Sequence, residues 1–366
     1  MQQSQPLSAG FQCLPEWQQP GAVAALWPSR NDVWRQQAKP AQDALIELLE
    51  QAADSLPVVI GVNLNEFAIA KKRIPASFKL LPIPYNDAWM CDIAPFWRSY
   101  SLSEQPAQRP EALLWQFDAW QGLYPEVGKD NRCAQTLATH LLARWQRHSM
   151  VFEGGNFTTD GQGHALAVSS SVVRSGMPLS KVERTLKQQL GVERITWLSR
   201  GLSGDETQGH IDNIALFIDA ETLLISGLPD TNHPDFVYLQ QVHVQLKGLR
   251  NKRGQPYRII ELPAAQLLPV EAELFHDMSY RAGVLQRTAA HPVLASYVNV
   301  VNLGQRLLVP QFGVSDDRQA LQMLQQQLPG WNISGVAARE FVLAGGGPHC
   351  MTHVIPASVW ALAQFE

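Results

Sequence analysis

Short, unbroken apolar runs alternate along this chain with longer stretches of helical periodicity. Val58–Val62, Met150–Phe152, Leu223–Ile225, Leu307–Val309 and Phe341–Leu343 read as buried strands, each too short for a helix of its own. Pro40 opens a helix that lines up Ala44, Leu45, Leu48, Leu49 and Ala52 on one face, with proline in the first turn where its missing N–H costs nothing. Ser180-Lys181-Val182-Glu183 is a capping-box pattern that predicts a second helix, stopped at Gly191 after Leu190. A third is expected from Asp317 through Ala320, Leu321 and Leu324 to Leu328, closed by Pro329-Gly330. This strand–helix alternation recurs about five times with no Ser/Gly-rich linker. The expectation is an α/β fold in one domain, residues 11–366, behind a polar tail at 1–10.

Composition agrees with a large core, since 45% of the 366 residues are apolar and only 17% charged. A formal charge of −4 and the lack of any Lys/Arg run argue against nucleic acid as a partner and suit a cationic substrate. The N-terminus carries no basic cluster followed by an apolar stretch, and nowhere do 18 apolar residues run together. A soluble, cytoplasmic protein without membrane partners is the expectation. Cys13, Cys91, Cys133 and Cys350 are far apart and form no C-x-x-C pair, so no disulfide framework is expected.

Reactive side chains concentrate in four glycine-flanked or aromatic segments. Asn86-Asp87-Ala88-Trp89-Met90-Cys91-Asp92 sets two carboxylates about an indole, and Glu153-Gly154-Gly155-Asn156 follows a strand. In Gly204-Asp205-Glu206-Thr207-Gln208-Gly209-His210-Ile211-Asp212, an extended backbone would send His210 and Asp212 to one face. Gly345-Gly346-Gly347-Pro348-His349-Cys350 presents a thiol. A guanidinium ion is planar and donates only, so gripping it needs carboxylates in its plane, and Asp92, Glu153 and Asp212 can supply them. Its resonance-stabilised carbon calls for a strong nucleophile, for which Cys350 fits, and His210 can serve in turn as acid and base. A zinc site drawn from His349, Cys350, His353, His210 and Asp212 is the competing reading.

The chain resembles the agmatine deiminases and, more broadly, the bacterial type of peptidyl-arginine deiminase. Pro15-Glu16-Trp17, Leu26-Trp27-Pro28, the Asn86–Asp92 segment, Phe117-Asp118-Ala119-Trp120, Glu153-Gly154-Gly155, Gly209-His210-Ile211-Asp212-Asn213, Ser296-Tyr297-Val298-Asn299, Val309-Pro310-Gln311-Phe312-Gly313 and His349-Cys350-Met351-Thr352 carry the likeness nearly end to end. It implies a five-bladed, pseudo-symmetric α/β propeller of the pentein kind, with the site on its central axis. It implies Cys350 as nucleophile, His210 as acid and base, Asp92 and Asp212 as guanidinium carboxylates and Glu153 as a further carboxylate beside His210. Trp89 would pack on the substrate, with Asp87, Asp205 and Glu206 as further substrate-binding candidates; agmatine's distal amine would be answered by Glu206 or Asp205. No metal or organic cofactor is implied, and a homodimer is expected. A neighbouring cation, from His210 or the substrate, is expected to lower the Cys350 pKa.

Four positions depart from the family pattern. Cys91 and Leu216 stand where arginines are usual, Leu123 where lysine is common, and Pro348 where an aliphatic residue is usual. The guanidine chemistry is expected to survive, with recognition of the substrate's far end changed. Deimination of agmatine or a related guanidine leads, with peptidyl-arginine deimination, amidino transfer to an amine, or catalytically impaired guanidine binding as alternatives.

Overall fold

A computed structural model describes residues 10–100, 110–173, 176–291 and 293–363. The expected polar tail at 1–10 falls, but for Gly10, outside the described residues.

Five times a strand passes through a helix into a parallel neighbour. The pairs are Pro20–Leu26 with Val58–Val62, Glu111–Gln116 with Arg144–Val151, His164–Val168 with Arg194–Leu198, Thr222–Ser226 with Arg258–Leu262, and Arg306–Gln311 with Asn332–Ala337. The helices between them are Lys39–Ala53, Asp130–His140, Leu179–Leu190, Phe236–Lys247 and Asp316–Gln327. On its other side each first strand takes an antiparallel partner: Thr352–Pro356, Phe96–Tyr100, Thr158–Thr159, Ala215–Phe217 and Val301–Asn302 respectively. The first strands are almost wholly buried, which is why they read as continuous apolar runs rather than alternating ones. Thr352–Pro356 docks on Pro20–Leu26, so the end of the chain closes against its beginning.

Helical periodicity decides what the crossovers bury. In Leu179–Leu190, Val182, Leu186 and Leu190 recur every fourth residue and are buried, while Lys181, Arg184 and Gln188 face water. Each such apolar side chain stabilises the fold by roughly 1.5–3 kcal/mol relative to exposure. Among the described residues, no helix is long and apolar enough to cross a membrane.

Three expectations need correcting. Phe341–Leu343 belongs to a short helix, Arg339–Leu343; the strand of that unit lies earlier, at Asn332–Ala337, and three adjacent apolar residues cannot tell the two conformations apart. The capping box is absent: the helix begins at Leu179 behind Pro178, and Glu183 is spent on Lys187 at 2.7 Å and on the Trp197 indole at 3.2 Å. The strand expected at Met150–Phe152 runs instead from Arg144 to Val151, its half-exposed, polar first part hiding it from an apolar search.

Candidate active site

Each antiparallel strand is preceded by a tight turn, and these turns carry the chemistry. Met90–Ile93 bears Asp92, Gly154–Asn156 follows Glu153, Ile211–Asn213 holds Asp212 just after His210, and Pro348–Met351 carries Cys350. In the fifth unit the turn before Val301–Asn302 presents Asn299. The H-x-D segment is therefore not an extended strand: His210 is extended, but Ile211–Asn213 is a 3-10 turn. Both side chains still reach the same buried site.

Cys350 sits 3.4 Å from Asp212 Oδ2, towards which its thiol donates, and accepts from Asn299 Nδ2 at 3.3 Å. Asn299 also holds the backbone here, its Oδ1 accepting the His349 N–H at 3.0 Å. His210 lies between two carboxylates, its Nδ1 3.9 Å from Asp92 and its Nε2 3.9 Å from Glu153. Asp92 is fixed by the Gly155 N–H at 2.8 Å and the Trp120 indole at 3.0 Å. Two buried polar atoms in this cluster make no hydrogen bond among the described residues, Asp212 Oδ1 and His210 Nε2.

Burial disfavours charge on His210, but Asp92, Asp212, Asp205 and Glu153 outweigh it and raise its pKa above the ordinary imidazole value. Burial raises Asp92 as well, with Asp212 adding to the effect while His210 and its two donors oppose it. The expected lowering of the Cys350 pKa is not found in the empty pocket. Burial pushes the thiol well up and the anionic Asp212 and Asp92 push further, against a smaller opposing pull from His349.

The cavity in front of Cys350, with about 360 Å³ of empty space, is walled by Trp89, Trp120 and Leu123 and reaches Glu206 and Arg287. Trp89 thus stands on the wall of this cavity. Glu206 lines the pocket but is clasped by Arg287 through two hydrogen bonds, a cation that sequence reading did not find. Asp87 does not reach the pocket: its carboxylate accepts from Arg30 at 3.2 Å and from the Trp34 indole at 3.1 Å, and Trp34 in turn packs on Trp89. Asp205 is a loop organiser, accepting the His210 N–H at 2.9 Å and the Thr207 hydroxyl at 2.6 Å. The five-residue zinc set is not gathered either, because His353 faces away and takes the Trp97 indole at 2.8 Å. Asn299 was quoted above only as part of a likeness; the fivefold recurrence of polar turns before antiparallel strands is the signal that picks it out.

Glycine is required where this wall is thinnest. A Cβ on Gly155 would stand 2.5 Å from His210 Nδ1 and 3.0 Å from Asp92 Oδ1. Gly155→Ala should therefore lower kcat on any guanidine substrate by about 100-fold or more with the circular dichroism spectrum unchanged, since displacing a reacting group by ångströms costs that much. Asn299→Ala should lower kcat by roughly 10- to 100-fold, the loss of one hydrogen bond to a charged sulfur; steady-state kinetics with Asn299→Asp alongside would separate the lost donor from a repacked turn.

Comparison with known proteins places these features in context. Residues 12–356 match the family model of the Porphyromonas-type peptidyl-arginine deiminases. A relative from Yersinia pseudotuberculosis, assigned by name as an agmatine deiminase, is 33% identical over 362 residues, covering 96% of this chain and 97% of its own. One from Latilactobacillus sakei, named likewise, is 31% identical over 365 residues, covering 97% and 98%. The solved agmatine deiminase of Enterococcus faecalis superposes with a TM-score of 0.89 at 26% identity, over 97% of this chain and 98% of that one. Matched along nearly its whole length, the chain belongs to the Porphyromonas-type peptidyl-arginine deiminase family.

Proposed function

We propose that this chain hydrolyses the guanidinium group of agmatine, or a closely related small guanidine, to a ureido product and ammonia. The observation that carries the reading is the buried meeting of a thiol, an imidazole and carboxylates in which Asp212 Oδ1 and His210 Nε2 are left without a partner. Leaving a buried carboxylate oxygen without a hydrogen bond costs about 1–3 kcal/mol, a penalty that a bound N–H donor would remove at Asp212. The names of the Yersinia and Enterococcus proteins supply agmatine as the substrate.

In the proposed mechanism the planar cation lies between Asp92 and Asp212. Its positive charge reverses the field on Cys350; the sulfur gives up its proton through Asp212 Oδ2 to solvent and bonds to the guanidinium carbon, the C=N electron pair moving onto nitrogen. His210, held protonated by its carboxylates, gives its proton to the departing nitrogen as the C–N bond breaks, leaving an amidino-thioether on Cys350. The neutral imidazole then takes a proton from water, whose oxygen bonds to the same carbon, and as the C–S bond breaks the remaining hydroxyl proton passes to the sulfur, leaving the ureido C=O and returning the Cys350 thiol. The five strand–helix–strand units are proposed to stand as pseudo-symmetric blades about an axis through this site, within one domain running from residue 11. A substrate with a carboxylate at its far end is the second reading, favoured by one observation, the presence of Arg287 beside Glu206 at the pocket.

Incubation with agmatine, arginine, methylated arginines and an arginine peptide, with assay of ammonia and ureido product, should show turnover highest on agmatine and none in Cys350→Ala. Highest turnover on free arginine would favour the second reading; no Cys350-dependent turnover on any of them would refute deimination. Asp92 holds its proton more tightly here than a free carboxyl does, and a bound cation favours its deprotonated form. Agmatine binding to Cys350→Ala should therefore release protons, and affinity should rise with pH; calorimetry in buffers of differing ionisation heat reads the sign, and proton uptake would contradict the charge arrangement.

A further inference from the structure

The turns that face Cys350 have a reverse side. Behind them lies a second cavity, with about 610 Å³ of empty space, that shares no lining residue with the first. Chain neighbours look in opposite directions: Cys91 lines the rear cavity and Asp92 the front, His349 the rear and Cys350 the front. Cys91 and Leu216, which stand where arginines are usual, are both on the rear wall, and among the described residues no lysine or arginine lines it. Burial lowers the pKa of His353 there to about 4, which leaves His349 as the side chain of that wall able to carry positive charge at neutral pH.

His349 is gripped from both sides. Its Nε2 lies 2.9 Å from Glu16 Oε2 and its Nδ1 3.0 Å from Asp212 Oδ2, with the Cys91 sulfur 3.8 Å from the same Nδ1. An ionised carboxylate only accepts, so both ring nitrogens must donate, and imidazole donates from both only as the imidazolium. Burial opposes charge on the ring, but Glu16 foremost, with Cys91 and Asp212 adding to it, lifts the His349 pKa well above the ordinary imidazole value. Asp212 Oδ2 is also the atom 3.4 Å from the Cys350 sulfur. Glu16, His349, Asp212 and Cys350 thus form a chain from the rear cavity to the thiol, with a fixed cation one carboxylate away from it. Burial, Asp212, Asp92 and Cys91 all disfavour the Cys350 thiolate, and His349 favours it. Across the front pocket the remaining charges, on His210, Asp92 and Glu153, face one another.

We propose that Glu16 and His349 are positioning residues for the nucleophile: Glu16 keeps the ring doubly protonated, and the charge of the ring steadies the Cys350 thiolate through Asp212. The inference rests on Cys350 as the nucleophile of the reaction proposed above. It gives one carboxylate two opposite effects. Directly, the negative charge of Glu16 disfavours a thiolate; through His349 it favours one, and the second effect prevails because the ring is the nearer link of the chain.

The test reads Cys350 in the full chain without substrate, as the rate of iodoacetamide alkylation of the Cys350 peptide, followed by mass spectrometry from about pH 6 to 9. Glu16→Gln should slow alkylation by about 10-fold and displace the profile to higher pH, the effect of losing one nearby cation. His349→Gln should slow it by at least as much, and Glu16→Gln added to His349→Gln should slow it no further, since Glu16 acts through the ring. Thermal melting of each variant confirms that it is folded. Mere removal of an anion would speed the reaction, so folded Glu16→Gln protein alkylated as fast as the parent or faster, or a double variant slower than His349→Gln, would overturn the proposal. Nitrogen-15 spectra of the histidine-labelled parent need no variant: both ring nitrogens of His349 should be protonated at about pH 8, and a neutral ring there would overturn the proposal as well. Alkylation requires no turnover, so these outcomes stand apart from deimination, which is judged by Cys350-dependent turnover.

Discussion

Asp212 is bound on one oxygen and bare on the other, and much of the site follows from that asymmetry. Its Oδ2 takes the thiol of Cys350 and the ring of His349, while Oδ1 is buried without a partner. Burying a carboxylate costs several kcal/mol unless charge and hydrogen bonds offset the loss of water. Here Asp92, Asp212 and Glu153 are all buried around His210, whose raised pKa is the counterpart of their shared negative field. The empty enzyme therefore holds its protons tightly. On the function proposed, a flat cation with in-plane donors would let the cluster relax, joining recognition of charge to readiness for reaction.

The fold delivers this cluster by repetition. Each small sheet has a buried central strand that needs apolar residues on both faces, which leaves the tight turns before the antiparallel strands as the places where polar side chains converge. Gly155 shows how little room remains, because even a methyl group would press on both His210 and Asp92. Close packing is what holds four kinds of side chain within a few ångströms of each other.

The strands at Val58–Val62, Leu223–Ile225 and Leu307–Val309 and three of the five crossover helices were legible because burial and periodicity write themselves into the chain, as the Leu186–Leu190 face illustrates; the buried strands Pro20–Leu26 and His164–Val168, rich in alanine, were not. Elements with one wet face or few residues were not. Arg144–Val151 begins on half-exposed polar residues, and Phe341–Leu343 is apolar for packing reasons that a helix meets as well as a strand. Cys350, His210, Glu153 and Asp212 drew notice by their chemical type close to glycine, and Asp92 by its place beside the Trp89 indole; the structure gathers these five side chains in one buried cluster. Asp87 and Asp205 have the same chemistry but spend it on neighbours, Arg30 and Trp34 for one and the loop before His210 for the other. Which partner a carboxylate takes depends on residues distant in the chain, and no local pattern records that. Arg287 was missed for the same reason: it lies 81 positions from Glu206, with nothing nearby to mark it as a pocket residue.

Because adjacent residues of the same turns face opposite cavities, the two sides of the site can vary independently. A substitution on the rear wall leaves the substrate's path untouched yet lies one peptide unit from a residue of the front cluster. Selection, or a chemist, can thus adjust the enzyme from behind. A compound lodged at the rear would not compete with the guanidine for space, yet it would press on His349, which is bonded to Asp212 of the front cluster.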